Sequence, residues 1–183
     1  MKIYTRKGDD GTTGLLFGGR VRKDDAAPEA YGAVDEAQAA LGVARAETGE
    51  GSELDGILVR LERDLWVVMG ELATALENRD KLDAGVSLVT AGMVDGLEPL
   101  IDDITSRFDA PTEFVVPGQN RLSALLDVGR TAVRKAERKA LGVAAPDSYV
   151  VPYLNRLSDL LWTLARWQEG QFMPARDKKN DKK

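Results

Sequence analysis

The chain has 183 residues, of which 43% are hydrophobic and 30% are charged, and it contains neither cysteine nor histidine. This composition predicts one folded domain, and it excludes disulfide frameworks, zinc-finger sites, Ser-His-Asp triads and the Glu-x-x-His ligands of di-iron bundles. The formal charge is -5 although five of the last ten residues are Lys or Arg, so the acidic body argues against nucleic acid as a partner.

Residues 1–25 form a segment with five glycines, three threonines and six cations but no helical period. The segment predicts an irregular loop that either is a disordered arm or wraps an anion. Glycine lets consecutive backbone N–H groups converge on an anion, threonine adds hydroxyls, and Lys23 or Arg20 supplies positive charge. Neither a Walker A loop nor a dinucleotide fingerprint is present.

The start of the chain has no apolar signal region and no apolar run approaches a membrane span, so we expect a cytoplasmic protein without a membrane partner.

Two helices are predicted next. The first runs from Asp25 to Thr48, has Pro28 in its first turn, and carries many small residues that would let another helix approach closely. Asp35 lies on a face beside its apolar stripe. The second helix spaces its apolar residues alternately by four and three, which is typical of helices that supercoil left-handedly. Its stripe consists of Leu54, Leu58, Leu61, Leu65, Val68, Leu72 and Ala75.

A third helix is predicted from Thr90, its N-cap, to Phe108, with a kink at Pro99. An extended linker then leads into a basic helix, in which residues 129–139 hold five cations and one carboxylate. Arg130, Arg134, Glu137 and Arg138 follow one edge of its apolar stripe. A row of guanidinium groups beside a buried face suits phosphate oxygens, and the alternative is a solvated basic face with i, i+4 ion pairs.

The last predicted helix runs from about Pro152 to Glu169, is capped by Asp147 or Ser148, and is ended by Gly170. One of its faces carries Asn155, Asp159, Trp162 and Arg166. This face either meets a ligand or another subunit, or exposes the indole incidentally.

Five helices without a convincing strand pair predict an all-α fold, a five-helix bundle of the ferritin-like up-and-down type with left-handed packing. In this interpretation residues 1–25 are a Gly/Thr-rich N-terminal loop of the single domain, residues 26–170 are the bundle, and residues 171–183 are a disordered basic tail.

Six motifs occur in order along residues 1 to about 168. They are Thr5–Thr13, Lys23-Asp24, Val34–Glu36, Phe114–Gly118, Arg130–Arg138 and Tyr153–Asp159. In order and spacing they resemble the PduO-type ATP:cob(I)alamin adenosyltransferases. The resemblance implies a homotrimer with active sites between subunits, where cobalt(I) of a corrinoid attacks C5′ of ATP and expels triphosphate. It also implies ATP, Mg²⁺ and cobalamin as the bound molecules.

The resemblance further implies the site residues. The ATP contacts are Thr5, Arg6, Lys7, Gly8, Asp9, Thr13, Gly14 and Lys23 in the loop, and Arg134, Lys135, Glu137, Arg138 and Asn155 on the helices. The catalytic candidates are Arg134, Arg130, Asp35 and Phe114, of which Asp35 and Arg130 resemble a pair that joins subunits beside the site. No metal ligand is expected from protein side chains, and Mg²⁺ is expected on the ATP phosphates. The chain departs from the family pattern at Asp127, Gln119 and Lys135, where many members have His, Gly and Arg.

Cobalt(I) is nucleophilic enough to need no protein base, so the reaction needs positioning and charge neutralisation, and Arg134 is the first candidate for the latter. Phe114 is expected either to displace the axial ligands of the corrinoid or to close the bundle end as a core residue. The chain has no fingerprint of a redox centre, so an external flavin-dependent reductase is expected to supply the electron, and an adenosylcobalamin-dependent enzyme to receive the product. The alternatives are a non-catalytic ATP or corrinoid sensor or carrier, and a structural assembly with a basic groove.

Overall fold

The structure is a computed structural model that describes residues 2–176, most of which are helical. In chain order the elements are β1 (Thr12–Gly14), β2 (Arg20–Arg22), α1 (Ala26–Arg45), α2 (Glu53–Leu72), a 3₁₀ helix (Leu76–Lys81), α3 (Ala91–Asp95), α4 (Glu98–Thr105), β3 (Val115–Val116), α5 (Arg121–Ala140), α6 (Val150–Glu169) and β4 (Met173–Pro174). None of the helices in this part of the chain is long and apolar enough to cross a membrane.

The expectation that strand pairs are absent was wrong. β1 and β2 form an antiparallel hairpin in which Thr13 lies opposite Val21, inside the segment predicted to be irregular. β3 and β4 pair Val115 with Pro174, so the tail predicted to be disordered from residue 171 begins with a strand. The rest of that predicted tail, residues 177–183, lies outside the described residues. Strands of two or three residues are too short to show an alternating pattern in the sequence.

The predicted third helix is two helices. Thr90 caps α3 as expected, because its side chain accepts a hydrogen bond from the Met93 N–H. The chain breaks after Asp95, and Pro99 then lies in the first turn of α4 rather than at a kink. Proline is well tolerated there because an N–H in the first turn has no partner within the helix. The described residues therefore form six α-helices instead of five, in addition to the 3₁₀ helix.

The apolar stripes predicted for the long helices are confirmed as the core. Each of α1, α2, α5 and α6 has 20 residues and buries one face. Fully buried members include Val34, Leu41, Leu58, Leu65, Leu126, Val133, Leu157 and Leu161. The hydrophobic effect therefore holds these four helices together, and the polar edges of α1, α5 and α6 remain available for a site.

Contacts between the long helices show which of their ends lie together. Lys139 and Lys135 on α5 reach Glu29 and Glu36 on α1, so the start of α1 lies beside the end of α5. Glu71 near the end of α2 accepts a hydrogen bond from the Ser148 hydroxyl, just before α6. The start of α1 and α6 and the end of α2 and α5 thus meet at one end of the molecule, which we call the hairpin end because β1 and β2 are attached there.

Gly129 allows α5 to approach α1 closely. A Cβ atom at this buried position would lie 2.8 Å from Leu41 Cδ2. Overpacking should cost Gly129→Ala about 1–3 kcal/mol, and alanine regains roughly 1 kcal/mol in helix propensity, so we expect the free energy of unfolding to fall by up to about 2 kcal/mol.

The matched control for Gly129→Ala is Gly56→Ala on the exposed face of α2, where nothing lies within 4 Å of an added Cβ. We expect this variant to be stabilised by about 0.5–1 kcal/mol. Urea unfolding of both variants measures the difference. A stabilised Gly129→Ala variant would show that the α1–α5 contact has room for a methyl group.

Candidate active site

The N-terminal hairpin is attached to the end of α2. The Leu16 N–H donates to the Ala73 carbonyl at 2.9 Å, immediately after the last residue of that helix. Glycines with positive φ at positions 18 and 19 make the turn between β1 and β2. The hairpin is thereby held at the hairpin end, with the loop of residues 5–11 extending from it.

The loop before β1 is organised by its own side chains. The Asp10 carboxylate accepts hydrogen bonds from the Thr12 N–H at 2.9 Å and the Thr12 hydroxyl at 2.7 Å. These two bonds, and then the charge of Arg20, hold the pKa of Asp10 below its usual value. Arg20 also donates to the Lys7 carbonyl at 2.7 Å. Arg20 therefore braces the loop, whereas the sequence suggested it as a counter-charge for a ligand.

Lys23 lies across the same loop. Its N–H donates to the Gly11 carbonyl at 2.9 Å. A Cβ atom at Gly8 would lie 3.0 Å from Lys23 Nζ and 3.2 Å from the Thr12 carbonyl oxygen, so a larger residue here would displace the ammonium or the loop by a few tenths of an ångström. The loop thus places a lysine ammonium beside backbone atoms, as an anion-binding loop requires.

The predicted row of charged residues along one edge of α5 is present, and we call it the arginine edge; it consists of Arg130, Arg134, Glu137 and Arg138. Arg134 is the residue of this edge that is most available to a ligand. Arg134 is exposed and forms no hydrogen bond or ion pair through its side chain with any residue that the structure describes. Its carbonyl oxygen accepts a hydrogen bond from Arg138 Nη1 at 2.9 Å. Glu137 Oε1 accepts from Asn155 Nδ2 at 2.9 Å, which links α5 to α6 beside the two arginines. The arrangement leaves one guanidinium free to bind an anion.

Lys135 points away from this edge. Its ammonium lies 2.6 Å from Glu36 Oε2 on α1, and Lys139 lies 3.1 Å from Glu29 Oε2 in the same way. Both pairs are exposed, so each contributes at most about 1 kcal/mol and could be exchanged for a ligand contact. The side chain of Lys135 therefore points toward α1, away from that of Arg134, although the two residues are neighbours in sequence.

The loop and the arginine edge lie at the hairpin end but are not joined within one chain. Among residues 2–176, no hydrogen bond or ion pair connects residues 2–25 to α5. The predicted ATP contacts therefore form two groups, one on the hairpin and one on α5 and α6.

Asp35 and Arg130 do not pair within the chain. Asp35 is exposed and has no partner among the described residues. Arg130 Nε instead donates to Asp127 Oδ1 at 2.8 Å. The sequence marked Asp127 only as a departure from the family pattern, although its i, i+3 spacing to Arg130 would have suggested the contact.

A cavity of about 490 Å³ lies between the linker before α5, the residues after β4 and α6. Its lining residues are Pro111, Thr112, Glu113, Phe114, Trp162, Ala175 and Arg176. Phe114 is 90% exposed, so the alternative that it closes the bundle end as a core residue is wrong. Its carbonyl oxygen accepts a hydrogen bond from the Ala175 N–H at 2.7 Å. Ala175 and Arg176 were missed in the sequence analysis, because this segment was predicted to be disordered.

Only part of the polar face predicted on α6 is exposed to solvent. Asn155 and Asp159 are exposed, and Trp162 is half-buried on the cavity wall. Arg166 was expected on the same open face, but it is 3% exposed and bonded to Asp127. The face therefore changes from solvent to interior along the helix.

Comparison with known proteins gives a consistent family. The family model for cobalamin adenosyltransferase matches residues 3–168. The chain is 42% identical over 170 residues to the corrinoid adenosyltransferase of Mycobacterium tuberculosis strain H37Rv, covering 90% of this chain and 87% of that protein. It is 39% identical over 171 residues to the corrinoid adenosyltransferase of Citrobacter freundii, covering 92% and 95%. A variant of the PduO-type ATP:corrinoid adenosyltransferase from Lactobacillus reuteri, complexed with cobalamin and ATP, superimposes with a TM-score of 0.87 at 27% identity, covering 96% and 97%.

Proposed function

The chain belongs to the cobalamin adenosyltransferase family, and from this premise we propose which of its residues bind the substrates and which stabilise the reaction. It is a transferase that moves the 5′-deoxyadenosyl group of ATP to cob(I)alamin, with triphosphate as the second product. Its fold resembles that of PduO-type enzymes. We further propose that α3 and α4 act as one broken helix, so that the whole is a five-helix bundle of the ferritin-like up-and-down type with left-handed packing.

Arg134 is the residue to which we assign charge stabilisation. As cobalt(I) attacks C5′, the bond from C5′ to the triphosphate oxygen breaks and the electron pair leaves with triphosphate. A cation near that oxygen favours the transition state over the ground state. The observation that carries this assignment is the exposed guanidinium of Arg134, which has no partner in the described chain and lies beside Arg138 and the Glu137–Asn155 pair.

The two groups of ATP contacts suggest a site between subunits. The hairpin loop presents Lys23 and the residues from Thr5 to Gly14, whereas Arg134 and Asn155 lie on α5 and α6 without a bond to that loop. A neighbouring subunit would bring its own loop to these helices, and we propose a homotrimer of this kind. The unpaired Asp35 supports the proposal, because it is available to Arg130 of a neighbour.

Replacing Asp35 with asparagine should weaken the assembly. A pair buried between subunits leaves an unpaired charge when broken, at a cost of about 3–5 kcal/mol, whereas an exposed pair contributes at most about 1 kcal/mol. We expect sedimentation to show a trimer for the wild type and dissociation for Asp35→Asn at micromolar concentration. Asp95→Asn, on an exposed aspartate of α3, is the matched control and should remain a trimer. A monomeric wild type would refute the interface.

The corrinoid is assigned to the cavity beside Phe114. Its wall combines an exposed phenyl ring with the indole of Trp162, which is the apolar surface that a corrin macrocycle requires. We propose that Phe114 displaces the axial ligands of cobalt(II), so that a separate flavin-dependent reductase can deliver the electron more easily. The product would pass to an adenosylcobalamin-dependent enzyme.

Mg²⁺ is proposed to arrive with ATP. The described residues contain no group of three or more Asp or Glu side chains placed to hold a metal ion, and Mg²⁺ commonly binds through substrate phosphates with few protein ligands. Binding to the triphosphate would share with Arg134 the neutralisation of the leaving group.

An anaerobic assay of adenosylcobalamin formation tests the function directly. With ATP and chemically reduced cobalamin, we expect adenosylcobalamin and triphosphate to form in equal amounts. Binding of both substrates without product would instead support the alternative, a sensor or carrier on the same bundle. ATP binding alone does not separate the two.

A further inference from the structure

Four charged side chains form an alternating chain between α5 and α6. Asp127 Oδ1 accepts a hydrogen bond from Arg130 Nε at 2.8 Å, and Oδ2 accepts from Arg166 Nη2 at 2.5 Å. Arg166 Nη2 also donates to Glu169 Oε1 at 3.1 Å, and its Nε lies 2.9 Å from Glu169 Oε2. We call these four residues the ionic chain.

The interior part of the ionic chain has little freedom to move. Asp127 is 5% exposed and Arg166 is 3% exposed, so their charges are desolvated and each depends on the other for compensation. The Arg166 guanidinium carbon also lies 5.9 Å from the centre of the Trp162 ring, on the wall of the cavity described above. Asp127 is therefore held from one side by an arginine that is itself packed and paired.

The outer member of the ionic chain is Arg130, whose side chain is 27% exposed. A guanidinium group has five N–H donors in one plane, and Asp127 uses only the one on Nε. The two terminal nitrogens have no partner among the described residues. The bond on Nε restrains the guanidinium group and leaves the N–H groups of both terminal nitrogens available to another partner.

We propose that Asp127 is a positioning residue that holds the Arg130 guanidinium ready for its contact between subunits beside the active site. The inference rests on the role proposed above for Arg130. An arginine that is already ordered loses less side-chain entropy when it binds a carboxylate or phosphate.

A double-mutant cycle tests the inference, using the intact protein with ATP and chemically reduced cobalamin. The four proteins are the wild type, Asp127→Asn, Arg130→Ala and the double variant. Asparagine keeps the shape of Asp127 and removes its charge. We expect Asp127→Asn to lower kcat/KM for ATP about tenfold in the wild-type background and less than about twofold in the Arg130→Ala background, since residues that act as one unit do not have additive effects.

The matched control is Asp55→Asn, which removes the partly buried ion-pair partner of Arg45 outside the proposed site. It should leave kcat/KM unchanged in both backgrounds. If Asp127→Asn fails to fold, Asp127→Glu replaces it in the cycle, because glutamate keeps the charge and only displaces the carboxylate. The loss should then be smaller and still depend on the presence of Arg130.

Two results would overturn the inference while leaving the proposed function in place. One is a full-size loss from Asp127→Asn in the Arg130→Ala background, which would show that Asp127 acts independently of Arg130. The other is wild-type kcat/KM for Asp127→Asn. If Arg130→Ala itself has wild-type activity, the role proposed for Arg130 fails, and the inference fails with it.

Discussion

Arg134→Ala should lose at least about tenfold in kcat and keep its fold. A preorganised electrostatic group is typically worth about 3–4 kcal/mol in the transition state, and a loss of about 1.4 kcal/mol already corresponds to tenfold. The side chain is exposed and forms no hydrogen bond within the described chain, so its removal should leave the melting temperature unchanged. Steady-state kinetics with chemically reduced cobalamin measures the effect on the chemical step.

The matched control for Arg134→Ala is Arg63→Ala, an exposed arginine on α2 that also has no ion pair in the described chain. It should retain wild-type turnover. Arg134→Lys should fall between the wild type and Arg134→Ala, because lysine keeps the charge but not the planar fork of donors. Near-wild-type turnover of Arg134→Ala with unchanged ATP affinity would contradict the assignment of charge stabilisation to this residue.

Phe114→Ala should slow the reaction in a way that depends on how cobalt is reduced. If the ring displaces the axial ligands, turnover with cobalt(II) and a reductase should fall about tenfold or more, which corresponds to about 1.4 kcal/mol. With chemically reduced cobalt(I), which no longer needs that displacement, the loss should be less than about threefold. Parallel assays of the same preparation under both conditions give the comparison.

The exposure of Phe114 allows a loss of activity to be distinguished from a loss of stability. A ring that is 90% exposed contributes little to the core, so the melting temperature of Phe114→Ala should match that of the wild type. Phe172→Ala removes another partly exposed phenyl ring, outside the proposed corrinoid cavity, and serves as the control that should be active in both assays. Equal losses of Phe114→Ala in the two assays would rule out ligand displacement.

The long helices followed directly from the sequence. Their apolar residues repeat with the helical period, so the buried faces of α1, α2, α5 and α6 could be assigned before any packing was known. The residues that begin and end helices are also local features of the sequence: Thr90 caps α3, and Gly170, with φ of 67°, ends α6. The predicted cap of α6 was wrong, because its N-cap is Tyr149 and α6 begins two residues before the predicted start. The Ser148 hydroxyl, one residue earlier, still accepts a hydrogen bond from the Val150 N–H.

The sequence by itself also determined the family and the arginine edge of α5, because ordered motifs and i, i+4 spacing are properties of consecutive residues. Only the tertiary structure decided the partners of those residues. The pairing of β3 with β4, the bond from Arg166 to Asp127 and the turn of Lys135 toward Glu36 join segments that are distant in sequence. The helical period indicates which face of a helix is buried. Which element packs against that face depends on how all the helices pack together, and no local sequence pattern contains that information.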